Sequence, residues 1–125
     1  MWNIIQSEKD IEVFMEAVNY FHDSCIVRAN LQTGTYVDDE LAMVMNTKPY
    51  AYITYQRQCE RYKTFELELG MVLHLHFNFD LLMTLEIIEA YFEKKENLFY
   101  WYSDCNHPDE NIWFVCQTIR WRAIE

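Results

Sequence analysis

The chain has 125 residues, of which 51% are hydrophobic and 17% aromatic, so a single core over 1–125 can offset chain entropy without disulfides or metal, which argues against disorder. Ten Lys plus Arg against twenty Asp plus Glu give a formal net charge of −10 spread along the chain. That balance disfavours sequence-independent nucleic-acid binding, which needs cations to displace counterions from phosphate, and an acidic surface repels anionic membranes while attracting cationic partners.

The first predicted element is a helix. Ser7 followed by Glu8 and Asp10 is a helix start with acidic residues in the first turn, and Ile11, Phe14, Met15, Val18, Phe21 and His22 then share one face at helical spacing. After His22-Asp23-Ser24 the pattern changes to period two. Cys25, Val27, Ala29 and Leu31 alternate with Ile26, Arg28 and Asn30 up to Thr33-Gly34-Thr35, a turn of hairpin length. A second strand is expected from Tyr36 to Met45, ending at the turn Asn46-Thr47-Lys48-Pro49. A third, from Tyr50 to Cys59, presents Ala51, Ile53, Tyr55 and Arg57 on one face and Tyr50, Tyr52, Thr54 and Gln56 on the other.

The longest alternation follows. Phe65, Leu67, Leu69, Met71, Leu73, Leu75 and Phe77 occupy every second position and predict a half-buried strand whose other face carries Glu66, Glu68, Gly70, Val72, His74 and His76. It ends near Asn78-Phe79-Asp80. Residues 83–93 read as a further strand, with Met83, Leu85, Ile87, Glu89 and Tyr91 against Thr84, Glu86, Ile88, Ala90 and Phe92. Lys94-Lys95-Glu96-Asn97 is a polar hairpin turn, and Leu98 to Tyr102 a short aromatic strand. Residues 103–110, with Asn106-His107-Pro108-Asp109, form a loop, and Ile112 to Trp121 closes the series with Trp113, Val115, Ile119 and Trp121 on one face. One helix followed by about seven strands with short connections implies an α+β protein that is mainly antiparallel β. The helix packs on a curved meander sheet or partly open barrel, since parallel pairing needs crossovers that are missing.

The opening Met-Trp-Asn-Ile-Ile has no basic region and no long apolar run follows, so the expectation is a cytoplasmic protein without a signal peptide or membrane span. Cys25, Cys59, Cys105 and Cys116 form no Cys-x-x-Cys pair, and Cys25 and Cys116 read as small core residues.

His74 and His76 lie on the same strand face, roughly 7 Å apart by twice the strand rise, a spacing that a metal site on a sheet can use, with Glu68 or Glu86 as a carboxylate and His22 or His107 as a third nitrogen. The further pattern of a cupin is missing. Glu66, Glu68, Glu86 and Glu89 are enough carboxylates for an acid and base pair, but alternating charge on a solvated strand accounts for them equally. No phosphate loop, nucleophile elbow or zinc-protease helix is present, so no motif fixes a reaction and no cofactor is implied. His22-Asp23-Ser24 contains triad residue types, but adjacent residues cannot form triad geometry, and a junction turn is the reading. Arg120-Trp121-Arg122 alternates cation and aromatic and suits an Arg stacked or paired on the acidic sheet.

Phe21-His22-Asp23-Ser24-Cys25-Ile26, Gln56-Arg57-Gln58, Phe65-Glu66-Leu67-Glu68-Leu69, Phe99-Tyr100-Trp101 and Ile119-Arg120-Trp121-Arg122 together resemble a group of small, uncharacterised bacterial β-rich proteins, mostly from Firmicutes. The likeness covers roughly residues 20–122. Chains of this kind are similar to immunity proteins of contact-dependent toxin systems, and the resemblance implies no catalytic residues.

The expected function is a non-enzymatic protein-binding module whose acidic, aromatic sheet surface, with Glu66, Glu68, Tyr50, Tyr52 and Trp101, holds a basic protein partner or a second copy of the chain. Two alternatives stand beside it: a small-molecule or metal-binding protein or enzyme with a pocket between helix and sheet, and a homo-oligomeric structural protein.

Overall fold

In the computed structural model, which describes residues 1–45, 48–79, 86–106 and 111–124, Ser7 caps the helix as its context requires. The Ser7 side chain accepts from the Asp10 backbone N–H at 3.2 Å, and the Asp10 carboxylate accepts from the N–H groups of Gln6 and Ser7 in return. These hydrogen bonds, that from Gln6 foremost, hold the Asp10 carboxyl below its usual range. The helix α1 (Glu8–Ala17) buries Ile11, Phe14 and Met15. It ends sooner than its apolar spacing suggests. Asn19, Tyr20 and Phe21 take φ of 50°, 55° and 64°, a left-handed turn that costs about 1–2 kcal/mol per residue with a Cβ. What holds the turn is Phe21, which it delivers wholly into the core, and the Tyr20 carbonyl, which accepts from the Ala90 N–H at 3.1 Å.

Ten strands follow the chain: β1 (Asn3–Ile5), β2 (Ser24–Gln32), β3 (Tyr36–Val37), β4 (Met43–Val44), β5 (Tyr50–Arg57), β6 (Thr64–His76), β7 (Glu86–Ile87), β8 (Tyr91–Lys95), β9 (Leu98–Tyr102) and β10 (Trp113–Ile124). Their pairings are antiparallel, and seven run in the order β7-β2-β5-β6-β10-β9-β8, with β1 beside β10. The mainly antiparallel sheet with a helix near the N-terminus is the architecture expected from the sequence. The order is not one simple meander, however: β2-β5-β6 and β8-β9-β10 are two meanders joined through the β6–β10 pair.

Chain length forces this sheet to curl. Laid flat, seven strands at about 4.8 Å spacing would hold the β7 and β8 edges about 29 Å apart. Residues 88–90, the link between those edges, can reach only about 14 Å from Ile87 to Tyr91. The edges therefore approach each other, and the left-handed turn after α1 sits at the seam through its Tyr20–Ala90 hydrogen bond. Inside the curl Phe14 meets Phe21, Phe65, Phe92 and Trp121, while Phe21 meets Tyr55, Phe65 and Trp101, all with centroids within 6.1 Å. Such pairs contribute about 0.5–1.5 kcal/mol each beyond the area they bury.

Several local expectations need correction. Residues 36–45 are not one strand of the main sheet: β3 and β4 pair only with each other, because the run Asp38-Asp39-Glu40 turns the chain, with Asp38 Oδ1 accepting from the N–H groups of Glu40 and Ala42. The main sheet resumes at β5, which pairs with β2. The strand expected over 83–93 is split, since Glu86 and Ile87 pair with β2 whereas Tyr91–Lys95 pairs with β9; its residues 83–85, like Asn46 and Thr47, Asp80, and 107–110 of the proline loop, lie outside the described residues. The 65–77 alternation holds through Leu69 and then slips. Met71 takes φ 51°, Leu73 is left unpaired where Val115 opposes His74 and Cys116 opposes Val72, and Val72, Leu75 and Phe77 pack on the core while Leu73 faces water. β10 changes phase too, burying Phe114 and Cys116 before Ile119 and Trp121. Cys116 is buried, its thiol pushed up to about 12 by desolvation, but Cys25 is only half-buried, because Ser24 and Ile26 take the inward positions of β2. β1, only three residues long, shows no alternation in the sequence and is set by its pairing with β10.

Candidate functional site

The sequence points first to the outer face of β5, β6 and β10. Glu68 and Arg120 are opposite each other in the β6–β10 register, as are Glu66 and Arg122. Arg120 forms a two-pronged pair with Glu68, 2.8 Å from both Nε and Nη2, and Arg122 meets Glu66 at 3.0 and 3.1 Å. Both guanidinium groups lie 4.4 Å from the Trp2 ring centroid, so the residue ahead of β1 covers the two ion pairs. Hydrogen bonds from Arg120 and then Tyr52 hold the Glu68 carboxyl below its usual range, and the same Glu68 contact raises the Tyr52 hydroxyl.

The expected acidic surface at Glu66 and Glu68 is thus charge-balanced. Two carboxylates face two guanidinium groups, and the patch has no excess charge with which to collect a cation. The paired and stacked arginines read from Arg120-Trp121-Arg122 are what neutralise it. Tyr50 and Tyr52 remain at the surface, in edge contact at 5.7 Å. Trp101 does not belong there: alternation along β9 sends it inward with Phe99, where it is fully buried and stacked on Phe114 at 5.4 Å.

His74 and His76 both point outward and flank Trp113, at 5.5 and 5.6 Å between centroids. His76 Nδ1 lies 3.0 Å from the Asn111 carbonyl, which can only accept, so in the neutral ring that nitrogen carries the proton. Among the described residues no third His, Cys, Asp or Glu joins them in a metal-binding group.

Two further regions stand out in three dimensions. None of residues 27–45 is buried. This stretch is the distal part of β2 and the β3–β4 hairpin, and it exposes Val27, Leu31, Tyr36, Val37, Leu41, Met43 and Met45. Leu41 is 86% exposed at φ 66°, a strained backbone with no burial to offset it. The second region is a groove of about 420 Å3 between α1 and β8. Its floor is Ile11, Met15, Ala90 and Phe92; Glu8 and Glu12 rim it from the helix, and Glu89, Glu93 and Lys94 from the opposite side. Glu89 is 2.9 Å from His22 Nε2 and accepts from the Cys105 thiol at 3.4 Å. Burial and then that hydrogen bond push the thiol up, so Cys105 stays protonated at neutral pH and is not an activated nucleophile.

No protein-family model matches the sequence, and neither a curated protein nor a solved structure is significantly similar to it. Function must be read from the chain itself. No helix among the described residues is long and apolar enough to cross a membrane. The signal for the exposed hairpin was present in the sequence as three consecutive acids, Asp38-Asp39-Glu40, inside an apolar stretch; Glu8 and Glu12 at i, i+4 were readable too, but Glu89 and Glu93 come to face them only through the curl of the sheet.

Proposed function

We propose that the chain is a non-enzymatic protein-binding module, and that the β3–β4 hairpin with distal β2 is the surface it offers to a basic partner. The observation that carries this reading is the unburied stretch 27–45. A two-stranded hairpin is marginal in water by itself, and exposed apolar side chains gathered in one region are the usual mark of an interaction surface. Asp38, Asp39 and Glu40 at its tip add negative charge beside the apolar residues, which favours a cationic partner in approach and in orientation. The resemblance to toxin-system immunity proteins points the same way, toward a basic toxin domain.

The test compares the wild-type chain with a Glu40→Lys, Leu41→Lys, Met43→Lys variant, whose fold is checked by circular dichroism. Affinity capture from native extract of the source cells, followed by identification and titration of the purified captured protein, is expected to yield a basic protein bound by the wild type and lost by the variant. Identical binding by both chains defeats the proposal. If the hairpin is instead covered by a second copy, sedimentation of the pure protein shows a dimer that the variant dissolves.

The α1–β8 groove supports a second reading as a small-molecule site. Its floor is apolar, its rims carry four carboxylates and the Lys94 ammonium, and 420 Å3 falls in the usual range for ligand pockets.

A further inference from the structure

Four aromatic side chains from four adjacent strands form a row on the outer face of the sheet. Tyr91 on β8 is opposite Tyr102 on β9, Tyr102 is opposite Trp113 on β10, and Trp113 is opposite His76 on β6. The neighbouring row on that face, two residues along each strand, is Glu93, Tyr100, Val115 and His74. In this second row Val115 is the short side chain, set between a phenol and an imidazole. The indole of Trp113 stands at one end. The result is a trough of about 270 Å3 floored by Val115 and walled by Tyr100, His74, Tyr102 and Trp113, with Leu73 and Leu98 completing it. Leu73 is there because the β6 bulge turns it outward.

The trough is uncharged in a chain of net charge −10. No lining residue carries a carboxylate or a permanent cation, and the nearest acid of the row, Glu93, accepts a hydrogen bond from the Tyr91 hydroxyl at 2.5 Å. The acidic molecule repels an anionic ligand, which disfavours nucleotides. A cation would find no carboxylate in the trough to replace its hydration. What fits is a neutral ring with apolar faces and hydroxyl groups at its edge, since aromatic walls supply flat apolar contact while phenol oxygens and imidazole nitrogens supply hydrogen bonds. We propose that this trough binds one neutral, gluco-configured pyranose ring of a saccharide. An axial C–H face packs on Tyr100 over Val115, the Trp113 ring, stacked by His76 at 5.6 Å, closes one end, and the equatorial hydroxyls reach the His74 ring nitrogen and the tyrosine hydroxyls. The site is separate from the hairpin and does not depend on its having a partner.

The experiment is a titration of 15N-labelled protein with cellotriose, followed through the indole N–H of Trp113 and the backbone amides of β9 and β6. A saturable shift at Trp113 is expected with a dissociation constant of about 1 mM. The Trp2 indole, covering Arg120 and Arg122, is expected to stay in place. His74 is exposed, so His74→Ala leaves the fold intact and is expected to weaken binding about tenfold, as is Tyr100→Ala. Three results would overturn the assignment: no saturable shift at about 10 mM cellotriose, unchanged binding in His74→Ala and Tyr100→Ala together, or adenosine binding more tightly than cellotriose, which would make the trough a stacking site for any flat ring.

Discussion

Phe21 and Leu41 are both large apolar residues held at left-handed backbone positions, φ 64° and 66°, and their surroundings are opposite. Phe21 is fully buried against Tyr55, Phe65 and Trp101, whereas Leu41 stands in water at the tip of the β3–β4 hairpin. The same local strain therefore has two explanations. At the seam of the curl, burial within the chain offsets it; on the hairpin no burial does, and only the turn hydrogen bonds of Asp38 with Glu40, Leu41 and Ala42 hold it.

The sharpest way to break that contrast is Phe21→Ala. Loss of a buried phenylalanine typically costs 3–5 kcal/mol, a large part of the 5–15 kcal/mol that holds a domain together. Urea unfolding should show it, and a loss below about 1 kcal/mol would mean that the seam is not packed as described. A middle-sized effect belongs to the covered ion pairs. The Glu68 carboxyl is held below its ordinary, unfolded value of 4.5, so its contribution is complete above that value and disappears as pH falls through the lower folded value. Stability measured from pH 7 downward should fall faster for the wild type than for Glu68→Gln in that acid window, while at neutral pH the variant loses about 1 kcal/mol, the modest value of a half-exposed pair. Parallel acid limbs would assign no such role to Glu68. The smallest effect is Leu41→Gly, which relieves the strained φ and removes an exposed side chain. We expect a change within about 0.5 kcal/mol, in the stabilising direction. A loss of more than about 1 kcal/mol in the same urea assay would show that Leu41 packs within the chain after all and would erase the difference between the two regions.

Much of the fold was legible because it is written in short-range pattern. The Ser7–Asp10 cap joins residues three apart, and the alternation Ala51, Ile53, Tyr55, Arg57 correctly named the inward face of β5. Of the expected Lys94-Lys95-Glu96-Asn97 turn, Lys94 and Lys95 belong to β8, and Lys95 pairs with Leu98 across Glu96-Asn97 alone. The pattern failed where phase is set by a partner strand. Leu73 continues a perfect period-two series in the sequence yet points outward, because only the β6–β10 register decides where the bulge falls. The candidate site suffered more. Glu66 and Glu68 looked like an acidic surface when read along one strand, but their partners are 56 and 52 residues away in sequence. Trp101 was misplaced for a simpler reason: five consecutive large residues in β9 leave the inward phase unmarked.

By itself the sequence determined one amphipathic helix, a mainly antiparallel sheet and an acidic molecule, since hydrophobic period, capping and net charge are properties of neighbouring residues. Only the tertiary structure decided which strands are adjacent, that the sheet curls until β7 and β8 approach, which carboxylates are neutralised, and that residues 27–45 remain outside the core. Those outcomes depend on contacts between segments far apart in the chain, where the geometry of the partner sets the phase and pairing.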